Sequence, residues 1–110
     1  MRRDEIESLS HLLMDVAQAR IDEEEPELDP VVVAQAREQS APDTFTRWAG
    51  PDGDGRVRRL EAYRDLRLAV LSDQRDALME ARAEGHYDSA AIGEMLRRVD
   101  SGELSLAALE

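Results

Sequence analysis

Apolar residues recur along this chain at helical spacing and hardly anywhere at alternating spacing. Ile6, Leu9, Leu13 and Val16 follow one another at intervals of three, four and three, and Leu12 and Ala19 widen the stripe. That spacing predicts one buried face of an amphipathic helix over roughly 4–23. The acidic run Asp22-Glu23-Glu24-Glu25 then meets Pro26, whose missing N–H cannot continue the helical ladder. Acid at a helix C-terminus opposes the macrodipole, so this end is expected to fray. A second helix opens at Leu28-Asp29-Pro30-Val31, where Asp29 suits the N-cap and Pro30 the first helical position. Val31, Val32, Ala34 and Ala36 carry it towards Gln39, Ser40-Ala41-Pro42-Asp43 interrupts it, and Thr44 to Trp48 makes a further short turn.

Gly50-Pro51-Asp52-Gly53-Asp54-Gly55 is the clearest loop signal. The longest helix is expected after it, over roughly 57–84, with Leu60, Tyr63, Leu66, Val70, Ala77 and Ala81 on one face and Leu71 and Leu78 broadening it. Gly85 is placed to end that helix in the left-handed conformation. Asp88 or Ser89 then caps a last helix with Ile92, Met95, Leu96 and Val99 inward, closing at Val99-Asp100-Ser101-Gly102-Glu103. The predicted fold is all-α, about four helices arranged as two helical hairpins. The first covers 1–49, a Gly/Asp/Pro loop covers 50–56, and the second covers 57–110. The two halves also echo each other, since Asp29-Pro30 and Asp88-Ser89 each restart a helix after a break.

Composition narrows the function classes. A chain of 110 residues makes one domain, or two small subdomains, with a modest core that dimerisation or docking would help to cover. There is no cysteine, which excludes disulfides and thiolate metal sites. The net charge of −11, with all positive charge carried by Arg, argues against a nucleic-acid partner, which needs a basic surface. No stretch approaches the roughly 18 apolar residues of a membrane span, and no apolar core follows Met1-Arg2-Arg3-Asp4 to make a secretory signal. The expectation is a soluble, cytoplasmic chain.

Candidate chemistry is sparse. Counting Gly50 as the first position of a calcium loop puts Asp52 and Asp54 at three and five, Gly55 at the turn, Val57 at eight and Glu61 at the bidentate twelfth. Position one lacks a carboxylate and no second loop pairs with it, so a degenerate EF-hand-like module stands only as an alternative reading. A free-standing dimeric helical adaptor is another. His11 and His86 are the only residues with an unperturbed titration near neutrality. His11 is expected to pack beside the first stripe and His86 to sit exposed in the hairpin turn. Phe45 and Trp48 suit a satellite core or a partner contact. No Ser or Cys pairs with a His and no glycine-rich loop follows a strand, so no catalytic, cofactor-binding or metal residue is assigned and no enzymatic activity is expected.

The order Leu66-Arg67, Gln74-Arg75, Ala81-Arg82, Glu84-Gly85, Asp88-Ser89, Arg97-Arg98, Val99-Asp100 resembles the end of the cytoplasmic C-terminal tail of bacterial monovalent cation/proton (sodium/proton) antiporters. The Asp29-Pro30-Val31-Val32 helix start resembles the matching point of that tail's first hairpin. The chain departs from the pattern at Gly102, where the family favours acid, and at Tyr87, where it favours a smaller aliphatic residue. The resemblance implies a soluble regulatory and assembly domain, homodimeric, at the inner face of the cell membrane. Its partner would be the membrane domain that carries the ions, and contact is expected through Arg56–Arg59 and the Phe45/Trp48 pair.

Overall fold

The periodic stripes fold as four α-helices in the computed structural model, which describes residues 3–38 and 53–107. Among the described residues they are α1 (Arg3–Glu24), α2 (Pro30–Glu38), α3 (Gly53–Glu84) and α4 (Ser89–Ala107), with a 3₁₀ turn, Glu25–Glu27, around Pro26. The described residues contain no strand. Asp29 caps α2 as its sequence implies: its carboxylate accepts from the Val31 N–H at 2.9 Å, and its carbonyl accepts from Val32 and Val33. Gly85 ends α3 at φ +75°, donating its N–H to the Arg82 carbonyl. Asp88 rather than Ser89 caps α4, accepting from the Ala90 N–H at 2.8 Å.

Two boundaries move outward from the sequence expectation. α3 begins at Gly53, so 53–56 belong to the helix and not to the 50–56 loop. α4 continues through Gly102 to Ala107 instead of closing at 99–103, because Leu106 is buried on the same face as Val99. The acidic end of α1 is also better held than its dipole suggests. Arg37, in the last turn of α2, reaches back to Gln18 at 2.7 Å, Asp22 at 2.6 Å and Glu25 at 2.5 Å. Those carboxylates push the guanidinium's pKa further up, Asp22 most.

α3 is the axis of the fold. α1, α4 and α2 all lie against it, and α1 and α2 touch each other less than either touches α3. A straight helix of 32 residues is about 48 Å long at 1.5 Å per residue, which equals the molecule's longest dimension of 48 Å. α3 and α4 run antiparallel from the Gly85 turn. Arg75 pairs with Asp100 at 2.7 Å and with Glu103, and Leu71 meets Gly102 further from the turn. A Cβ at Gly102 would stand 3.2 and 3.3 Å from the Leu71 methyls, so the two helices approach where one of them has no side chain.

The core contains Tyr63, Leu66, Val70, Leu71, Leu78 and Ala81 from α3 and Ile92, Met95, Val99 and Leu106 from α4. α1 buries Leu9, Leu13, Ala17 and Ile21, a row of fourth residues. Its far end is therefore rotated from the expected stripe: Val16 is half-buried and Ala19 exposed, while Ile6 and Leu12 pack against the core from its edge. A ridge of fourth residues is a usual way for one helix to seat on another. α2 buries Val32, Val33, Gln35 and Ala36, leaving Ala34 exposed. Ala77 of α3 is half-buried. Gln74 sits between Val70 and Leu78 in the stripe and donates to the Leu13 carbonyl of α1 at 2.9 Å. Among the described residues no helix is long and apolar enough to cross a membrane.

Candidate functional site

The last turns of α3 carry Ala77, Glu80, Ala81 and Glu84 at helical intervals, which places all four on one face. Leu12 of α1 and His86 and Tyr87 of the turn complete a groove of about 360 Å³ around them. Its floor is apolar and its α3 rim carries two carboxylates. Glu80 and Glu84 are both exposed. The turn that forms the end wall is fixed from α1: the Ser8 and Tyr87 hydroxyls lie 3.0 Å apart, and the Glu5 carboxylate accepts from the Asp88 N–H at 3.2 Å. Glu5 thus sits at the positive end of α4, where a carboxylate is favoured. His86 is 74% exposed, as expected, with Nε2 4.0 Å from Glu84.

A second hollow, about 340 Å³, lies at the corner between α2 and α3. Arg58 and Arg59 line it together with Glu27 and Asp29. The basic cluster picked out for partner contact therefore shares its hollow with two acids at these two positions. Phe45, Trp48 and the loop residues 50–52 lie outside the described residues.

Between α1 and α3, Arg20 grips Asp73 with both ends of its fork, Nε to Oδ2 at 2.6 Å and Nη2 to Oδ1 at 2.9 Å. The hydrogen bonds and charge of the guanidinium hold the Asp73 carboxyl below the ordinary carboxylate range, against a smaller opposing effect of burial. The same bonds raise Arg20 further. On α4, Arg97, with Arg98 adding to it, lowers Glu94. Burial pushes the Tyr63 hydroxyl up, since its ring is wholly enclosed. Gln35 is 7% exposed, and its Oε1 has no hydrogen-bond partner among the described residues.

His11 differs from its expected packing role. It is 71% exposed and 4.0 Å from Glu7. Two residues beyond Leu9 is about 200° round a helix, which turns it away from the buried row. The calcium-loop residues are also arranged differently from the motif. Positions 53–61 are helical in α3, whereas the motif needs its ligands on a loop that wraps the ion. Among the described residues no group of three or more acidic or histidine side chains is placed to hold a metal ion.

The sequence pattern did not single out Glu80, held Glu84 only as part of the Glu84-Gly85 step of a family pattern, and marked Tyr87 only as a departure from it. A signal was present: two carboxylates occupy the last turns of a helix, where the dipole disfavours them, and Arg82 is the one base beside them. The described residues form an all-α bundle with an acid-rimmed groove at the hairpin turn. No family model matches the chain, and no curated protein or solved structure matches it either.

Proposed function

We propose that this chain is a regulatory and assembly domain of a sodium/proton antiporter, modulating exchange by a membrane body without catalysing a reaction itself. The observation that supports the reading is what its motif residues do in the α3–α4 hairpin. Gly85 and Asp88 are the helix stop and restart, and Arg75 clasps Asp100 across the pair. The residues behind the resemblance are therefore those that build a hairpin of defined length. In this reading the domain lies at the inner face of the membrane and assembles as a homodimer with its transporter. Its net charge of −11 repels the anionic inner leaflet within a Debye length of about 8 Å, so attachment comes through protein contacts.

The test is antiport in membrane vesicles with the domain present or deleted from its transporter. Deletion should shift the pH or cation dependence of exchange while some transport persists, because the ion path lies in the membrane body. Unchanged activity, pH profile and assembly would show the reading to be wrong. Light scattering on the isolated chain tests the homodimer, and a monomer mass at high concentration removes it.

A further inference from the structure

We infer that the groove between α1, the end of α3 and the Gly85 turn binds an arginine- or lysine-bearing segment of the membrane partner, a cytoplasmic loop between spans. The inference rests on the antiporter reading for the source of that segment, and on the groove itself for its chemistry.

Three features point to a cationic side chain on an apolar stem. Leu12, Ala77 and Ala81 give a floor against which a (CH₂) stem can lie, as long basic side chains do on apolar surface. Glu80 and Glu84 stand one turn apart on the rim. Glu80 has no ion pair among the described residues, and Glu84 has the exposed His86 at 4.0 Å. Tyr87 supplies an aromatic side chain at the end wall, and the Ser8 contact holds its hydroxyl before any ligand arrives. Carboxylates at the C-terminal end of a helix lower its own stability. An approaching cation would relieve that repulsion, so its binding would also stabilise the end of α3.

The membrane partner supplies the matching charge on general grounds. Cytoplasmic loops of membrane proteins carry an excess of Lys and Arg, which sets their orientation during insertion. An acidic domain tethered beside them meets that charge at high effective concentration. The groove gives one such residue a specific seat that the rest of the acidic surface does not.

The experiment titrates the 110-residue chain with a synthetic amphipathic peptide carrying arginines at helical spacing, read by calorimetry and by amide NMR shifts. A peptide with glutamine in place of arginine serves as control. The shifts should centre on Leu12, Ala81 and Tyr87. Glu80→Gln with Glu84→Gln should weaken binding about tenfold at low salt, two charge contacts being lost. Glu61→Gln with Asp65→Asn removes the same charge about 28 Å away along α3 and should change affinity less than about twofold. Equal loss in both double variants, or shifts spread over all the acidic faces, would reduce the binding to net charge and overturn the site. A dimer that Glu80→Gln with Glu84→Gln dissociates would show a second copy in the groove and overturn it as well. The two readings can fail separately. If domain deletion alters antiport but the peptide misses the groove, this inference falls alone. If the peptide fills the groove but deletion leaves antiport and assembly unchanged, a transporter loop is overturned as the source.

Discussion

Replacing Asp73 by Asn removes charge from the contact between α1 and α3 while nearly preserving its shape. The pair is bidentate, at 2.6 and 2.9 Å, and its side chains are 31% and 29% exposed. Fully exposed pairs contribute about 0–1 kcal/mol, and breaking a fully buried pair costs about 3–5 kcal/mol. Two-thirds coverage and fork geometry put the expected Arg20–Asp73 coupling at about 1–2 kcal/mol. A double-mutant cycle with Arg20→Ala and Asp73→Ala, measured by urea unfolding, isolates that term. In a thermal melt each kcal/mol lost would lower the midpoint by about 4–8 °C. The acid dependence gives an independent check. Asp73 is held below its ordinary value of 3.8 in the folded state, so the stability it contributes is fully present above that value. It is lost as pH falls through the lowered folded value. The gap between wild type and Asp73→Asn should therefore close only in strong acid and stay constant from about pH 5 to 8. A coupling indistinguishable from zero at low salt would refute the account, and so would a gap that closes as pH rises.

Other positions test the hairpin and its packing. Gly85→Val should cost about 1–2 kcal/mol, because φ +75° is strained for a β-branched residue although no atom lies within 4 Å of a Cβ there; Gly85→Asn should cost less, and equal stabilities in unfolding curves would contradict this. Ile92 is 2% exposed, so Ile92→Asp should lose more than about 3 kcal/mol by carrying an unpaired charge into the α3–α4 interface; an unchanged melt would show that face is not packed. Gly102→Leu should destabilise by about 1–3 kcal/mol through collision with Leu71, and adding Leu71→Ala should restore part of the loss; independent, additive effects would show the helices do not meet there.

Much of the local architecture could be read directly from residue order. Asp29-Pro30, Gly85 and Asp88 act within a few residues of chain, through hydrogen bonds and φ preferences that need no distant partner, and each does in the fold what its type implies. The all-α class followed for the same reason, since periodicity is a property of the stripe alone. Tertiary structure decided which part of each stripe is buried. Ala17 and Ile21 displace Val16 and Ala19 because α1 seats on α3 along fourth residues, a choice made by the partner helix. Gly102 reads as a helix end until Leu71 is placed against it, and α4 then runs on so that Leu106 is covered. The groove was least legible of all. Leu12, Glu80, Glu84 and Tyr87 come from three separate segments, and only the packing of α1 beside the Gly85 turn puts two carboxylates, an aromatic ring and an apolar floor around one space. Short-range preferences are written in neighbouring residues, whereas a surface shared by distant segments exists only once the chain has closed.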